Sequence, residues 1–198
     1  MPTTDLRPAA TNVARVLAGI TDEQLTVPTP CPRYTVGDLL DHIGGLSLAF
    51  TAAATKTPLA AAGPDAPLGD AAHLDPAWRE TIPAALDQLV AAWRDDAAWD
   101  GMTAAGPIEM PGEIAGLVAL EEVVVHGWDL ARATGQAYEI DDATLELVRG
   151  LVGDFAPADD VVNDGTLAFG PKVPVPAAAP LLDQVVALTG RDPAWSPR

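Results

Sequence analysis

Basic residues are scarce in this chain: 11 Lys and Arg stand against 28 Asp and Glu, a formal net charge of −17 over 198 residues. A surface of that sign repels phosphate backbones and anionic headgroups, which argues against nucleic acid and membrane surfaces as partners. Its plain consequence is solubility. Cysteine is scarcer still. Cys31 stands alone, so neither an intramolecular disulfide nor a multi-cysteine zinc site can form. No stretch approaches the ~20 apolar residues of a spanning helix, and no basic segment followed by an apolar one opens the chain. The expectation is a cytoplasmic protein.

Several catalytic motifs are missing too. There is no HExxH and no phosphate-binding glycine loop. Gly45-Leu46-Ser47-Leu48-Ala49 lacks the closing glycine of a nucleophile elbow. The stretch from Asp160 to Gly165 fails as a calcium loop, because Val162 stands where an oxygen ligand is needed.

What is present is apolar periodicity cut by proline and glycine. Residues 5–19 read as a helix, with Asp5 placed to cap it and Val13, Val16, Leu17 and Ile20 at helical spacing. Thr21-Asp22-Glu23-Gln24 has capping-box form and predicts a short turn. Pro28, Pro30 and Pro32 make the next connection extended. Thr35-Val36-Gly37-Asp38 opens a second helix reaching about Lys56, with Val36, Leu39, Leu40, Ile43, Leu46 and Phe50 as its apolar face. Gly44 and Gly45 weaken it but let another backbone come close.

A loop is expected over 57–74, then a third helix opened by Asp75-Pro76, with Trp78, Ile82, Leu86, Leu89, Val90 and Trp93 as its stripe and a kink at Pro83. Residues 98–110 read as a short hairpin or an irregular excursion. The long central helix runs from Pro111 to about Thr134, with Gly135 as its stop and Arg132 complementing its dipole. Asp141 or Asp142 opens a helix to about Phe155, 156–178 form a connector, and Ala179-Pro180 begins a last helix ended by Gly190. No internal repeat or domain boundary stands out. The pattern predicts one all-α domain over residues 1–198 with a bundle core.

The chemistry concentrates in the central helix. In Leu120-Glu121-Glu122-Val123-Val124-Val125-His126-Gly127-Trp128-Asp129, Glu122 and His126 are four residues apart and stand one above the other. A second imidazole, His42, lies in Asp38-Leu39-Leu40-Asp41-His42-Ile43. A facing helix is how a bundle completes a site. Two imidazoles and a carboxylate suit Zn(II), and also Ni(II), Fe(II) or Mn(II). Nothing local ties His42 to the other two, and a histidine in an apolar helical stretch is more often a hydrogen-bonded core residue. Glu121 competes with Glu122, but it lies about 140° around the helix from His126.

Asp129 and Asp38 read two ways: as acceptors that orient the imidazoles, or as an exposed acid and a cap partner. Cys31 is either a reactive thiol or a packing residue. His73 falls in a loop, and Trp128, about 200° from His126, packs away from it.

Pro28-Thr29-Pro30-Cys31 followed by Tyr34-Thr35-Val36-Gly37-Asp38-Leu39-Leu40-Asp41-His42, and Glu122-Val123-Val124-Val125-His126-Gly127-Trp128-Asp129-Leu130-Ala131-Arg132-Ala133-Thr134-Gly135, carry a resemblance. The sequence resembles the DinB-like metal-binding helical bundles, in the group typified by the N-terminal domain of mycothiol-dependent maleylpyruvate isomerase. Gly190-Arg191-Asp192-Pro193-Ala194-Trp195 is similar to the closing signature of one actinobacterial branch.

The resemblance implies an up-down-down-up four-helix bundle, here with extra short helices, and a divalent metal held by His42, Glu122 and His126. It implies a low-molecular-weight thiol, mycothiol first, and S-transfer or isomerisation of a small electrophilic metabolite. Tyr34 stands where an aromatic, often Trp, is usual. A full separate C-terminal domain like that of the isomerase is not expected, which points away from maleylpyruvate itself. Arg33, Arg132 and Lys172 are candidates to anchor a substrate carboxylate. The alternative is a metal-binding protein without catalysis: a sensor, a binding module or a structural site.

Overall fold

The computed structural model describes residues 4–57, 69–155 and 169–197. Thr35 and Asp38 set the start of the helix that carries His42. The Thr35 hydroxyl accepts from the Asp38 amide at 3.3 Å, and Asp38 Oδ2 accepts from the Thr35 amide at 2.8 Å. This reciprocal pair satisfies amides that a first helical turn leaves without partners. Helix α2 then runs over Val36–Thr55.

Before it come α1 (Arg7–Ala18) and a single 3-10 turn (Asp22–Gln24). After it come α3 (Trp78–Ala92), the short α4 (Asp96–Trp99), strands β1 (Met102–Ala105) and β2 (Ile108–Pro111), α5 (Gly112–Thr134), α6 (Asp142–Phe155) and α7 (Leu181–Leu188). The excursion at 98–110 is thus a hairpin after a one-turn helix. Its strands pair antiparallel, with Thr103 opposite Met110 and Ala105 opposite Ile108. Thr103 Oγ1 donates to the Ala53 carbonyl at 2.5 Å and fastens the hairpin to the end of α2.

Two expected helix starts move inward. Asp5 Oδ1 accepts from the Arg7 amide, and α1 begins at Arg7. Asp75 Oδ1 accepts from the Ala77 amide, so Asp75-Pro76 forms a turn and α3 begins at Trp78. In both cases the aspartate closes a local turn ahead of the helix. Of the loop expected at 57–74, residues 58–68 lie outside the described residues, as do 156–168 of the later connector. The returning part is well tied down: the Asp70 amide donates to Asp41 and the Ala71 amide to Asp38, and Gly69 lies against His42.

Helices α1, α2, α3 and α5 surround one core, α2 packing on α3 and α5, and α1 on α5 and α3. Their stripes supply it: Val13, Val16 and Leu17 from α1, Leu39, Leu40 and Ile43 from α2, Leu86 and Leu89 from α3. α6 packs on the outside of α5 and carries α7. Helix α5 therefore has neighbours on nearly every side, and it is buried without interruption from Val123 to Ala131. A helix enclosed in this way loses its polar stripe, and any polar group on it must find partners within the protein. Gly127 serves that enclosure. A Cβ there would lie 2.7 Å from Val13 Cγ2 and closer still to the Tyr138 hydroxyl. Among the described residues no helix is long and apolar enough to cross a membrane.

Candidate metal centre

The packing of α2 on α5 brings His42 to Glu122 and His126. Glu122 Oε2 lies 3.0 Å from His126 Nε2 and 3.9 Å from His42 Nε2. The two imidazole centroids are 5.0 Å apart and nearly perpendicular. One ligand atom from each residue lies within 4.8 Å of the others. Among the described residues this is the one such group of histidine and acidic ligand atoms. The side chains are 12%, 25% and 8% exposed for His42, Glu122 and His126, so the cluster opens to solvent at the carboxylate.

Asp129 takes the other nitrogen of His126. Its Oδ2 accepts from Nδ1 at 2.9 Å, which leaves Nε2 facing Glu122 and His42. Asp129 is itself gripped by Arg191, whose Nε and Nη2 donate to Oδ1 at 3.3 Å and to Oδ2 at 3.0 Å. Both residues are buried. Of the two acids the sequence offered as imidazole partners, Asp129 makes the contact. Asp38 is spent on capping α2 and on the Ala71 amide.

Burial disfavours a charged His126, but its hydrogen bonds to Asp129 and Glu122 and their negative charge prevail, and its pKa is pushed up to about 10. Burial likewise opposes the ionised forms of the two carboxylates. The Glu122 pKa is nevertheless lowered by the His126 hydrogen bond, and that of Asp129 by Arg191 and His126. Glu121 behaves differently. It is buried beside Glu122 on another side of the helix, and burial pushes its carboxyl up to about 8. It is absent from the ligand cluster.

Tyr34 forms an aromatic wall, its ring centroid 5.0 Å from that of His42 and 6.3 Å from that of His126. Burial pushes its phenol up to about 12, so it stays neutral. Its hydroxyl is buried without a hydrogen-bond partner. A narrow cleft lined by Ile43, Leu46, Phe50, Ala119, Glu122 and Val123 adjoins the carboxylate; its cavity of about 10 Å³ has room for roughly one water.

A larger cavity of about 640 Å³ between α6, α7 and residues 172–177 includes Lys172 and Arg149 but none of the three clustered residues. Of the other candidates, Arg132 is committed to the C-terminal segment through the Pro193 and Trp195 carbonyls, and Arg33 lies over the Tyr34 ring. Cys31 is a buried free thiol, Trp128 packs under Arg132, and His73 pairs with Asp70 away from the cluster.

The donor set fits a divalent ion of borderline softness: two imidazole nitrogens and one carboxylate oxygen, with a hydrogen-bonded acceptor behind one imidazole. Neither helical periodicity nor a local motif points to a role for Arg191. Its only signal was the Gly190-Arg191-Asp192-Pro193 stretch.

Fold and cluster together define a class of helical proteins in which facing helices bring two histidines and a carboxylate to one point. Within it, this chain belongs to the mycothiol maleylpyruvate isomerase N-terminal domain family, whose model matches residues 6–131. Two Mycobacterium tuberculosis proteins, Rv0738 of strain H37Rv and MT0763 of strain CDC 1551, both described as uncharacterized, are each 30% identical over 187 residues, covering 90% of this chain and 91% of the relative. The crystal structure of a mycothiol-dependent maleylpyruvate isomerase matches with a TM-score of 0.60 at 20% identity, over 76% of this chain and 68% of that one. A histidine-to-alanine mutant of the isomerase matches over the same shares with the same TM-score at 18% identity. At these identities the structural likeness is one of fold.

Proposed function

We propose that His42, Glu122 and His126 hold a divalent metal ion, zinc first, and that the chain is a mycothiol-dependent isomerase or S-transferase acting on a small electrophilic metabolite. The observation that carries this reading is the convergence of three ligand atoms within 4.8 Å at a point where Glu122 reaches solvent. Membership of the family supports the thiol, and three protein ligands leave room for a further one. A bound ion would supply Lewis acidity, favouring the thiolate form of a thiol and polarising a carbonyl.

The chain's own groups prepare the site. Asp129 keeps the proton of His126 on Nδ1, so Nε2 offers a lone pair once its own proton is displaced. Arg191 offsets the charge of Asp129. A dication with Glu122 then leaves one net positive charge, which favours a monoanionic ligand such as a thiolate. Tyr34, Ile43, Leu46 and Phe50 put apolar surface beside it, which strengthens that attraction.

The test is an assay of the metal-loaded protein with mycothiol against a panel of electrophiles and isomerisable unsaturated acids, with metal content measured in parallel. Metal-dependent consumption of thiol, or thiol-dependent isomerisation, is the expected result. Full metal occupancy with no thiol chemistry on any of them would overturn it. One observation favours a second reading, a metal-binding protein without catalysis: the cleft beside Glu122 is only about 10 Å³. Under that reading a metal-loaded crystal would show the coordination sphere closed by protein.

A further inference from the structure

Residues 190–195 dock on the last two turns of α5, beyond the family match at residues 6–131. Gly190 has φ +84°, and a Cβ there would lie 2.6 Å from Gly170 Cα. Only glycine lets the chain turn at that point with the two backbones touching. The turn sends Arg191 inward. Its Nη1 donates to the Thr189 carbonyl at 3.3 Å, while Nε and Nη2 hold the two oxygens of Asp129. Three residues further along α5, Arg132 donates to the Pro193 and Trp195 carbonyls at 2.7 and 2.8 Å. Asp192 closes the segment on itself by accepting from the Ala194 amide.

We propose that Arg191 is a positioning residue of the metal centre: by holding both oxygens of Asp129, it fixes the carboxylate that aims His126 Nε2 at Glu122 and His42. The inference rests on the metal-binding reading above. A tail can be anchored to a bundle by an ion pair anywhere along it. This one engages the carboxylate that touches a candidate ligand imidazole, and Asp129 is fully buried with no exposed surface to share with water. The links Arg191–Asp129, Asp129–His126 and His126–Glu122 measure 3.0, 2.9 and 3.0 Å. With Arg191 removed, the buried Asp129 carboxylate loses two of its donors and is free to turn away from Nδ1. The imidazole then loses what holds its orientation. Residues past the family match at 6–131 would thereby set how well the ligands bind.

The experiment uses the full chain as wild type, R191Q, R191K, D129N and the D129N/R191Q double variant. Affinity for Zn(II) and Co(II) is measured by chelator competition, with the ligand-field spectrum of the Co(II) form and the melting temperature of the metal-free form alongside. R191Q is expected to weaken metal binding about 10- to 100-fold and to alter the Co(II) spectrum. R191K, which keeps the charge without the two-pronged hold, falls between R191Q and wild type. The double variant binds no more weakly than D129N alone, because Arg191 acts through Asp129.

A purely structural ion pair would lower the melting temperature and leave affinity and spectrum of the folded protein unchanged; a folded R191Q with wild-type affinity overturns the proposal. If R191Q does not fold, wild-type affinity in R191K overturns it and weaker binding supports it. Failure of the wild type to bind metal would sink the metal-binding reading and this inference together. Wild-type binding with an unaffected R191Q would sink this inference alone.

Discussion

Asp129 Oδ2 lies 2.9 Å from Nδ1 of His126, one turn away on the same helix. The contact fills the one imidazole nitrogen that faces away from Glu122 and His42. The pair therefore decides which nitrogen is offered to a ligand, and it does so between two buried side chains. Carboxylate, imidazole, carboxylate follow one another along α5 as Asp129, His126 and Glu122, and α2 adds the second imidazole.

Removing any of the three clustered side chains should remove the metal. His42→Ala, Glu122→Gln and His126→Ala are each expected to drop metal content well below one ion per chain, by elemental analysis after dialysis. The metal-free fold should survive in His42→Ala, whose side chain sits at the edge of the core. Full stoichiometric metal in His126→Ala would show that the ion binds elsewhere.

The metal-free protein should lose stability as pH rises. His126 has its pKa raised from 6.5 to about 10, so the stability it contributes is complete below pH 6.5 and disappears as pH approaches 10. Glu121 is raised from 4.5 to about 8, and its contribution fades from pH 4.5 to 8. Glu122 and Asp129 have lowered pKa values, so their contribution is lost in acid instead. Melting temperatures of the metal-free form should fall from pH 6.5 to 10. A metal ion must displace the His126 proton, so its stabilising effect should grow over the same range. A metal-free melting temperature that climbs between pH 6.5 and 10 would contradict this electrostatic account.

Tyr34→Phe should be tolerated. The hydroxyl is buried without a hydrogen-bond partner, and removing an unsatisfied polar group costs little or stabilises by up to about 1–3 kcal/mol. The ring contacts with His42 and His126 remain. Chemical denaturation should give equal or greater stability, with metal affinity unchanged; a loss of more than about 1 kcal/mol would reveal a partner for the hydroxyl.

Gly127→Ala should destabilise the fold although alanine is the better helix former. The added methyl would meet Val13 Cγ2 at 2.7 Å and collide with the Tyr138 hydroxyl. Overpacking of this kind costs about 1–3 kcal/mol. Equal melting temperatures in the two proteins would mean that α1 and Tyr138 withdraw freely.

Much of the architecture could be read from local pattern. Thr35 and Asp38 announce the start of α2, Gly135 stops α5, and the apolar stripes of α1, α2 and α3 are the ones that form the core. Those features are legible because capping and periodicity act within a few residues of chain. The cluster was half legible for the same reason. Glu122 and His126 share a face by helical spacing alone, whereas His42 is 80 residues from Glu122, a candidate from its own helix that only the family resemblance tied to the pair.

Sequence by itself determined the helical class, the central helix and the Glu122/His126 pair. Tertiary structure decided the rest: that α2 presents His42 to that pair, that Asp129 and not Asp38 backs an imidazole, and that Arg191 reaches Asp129. No local rule encodes these choices. They follow from which faces of α2, α5 and the C-terminal segment are buried against one another, and burial makes a buried carboxylate such as Asp129 depend on a partner 62 residues away.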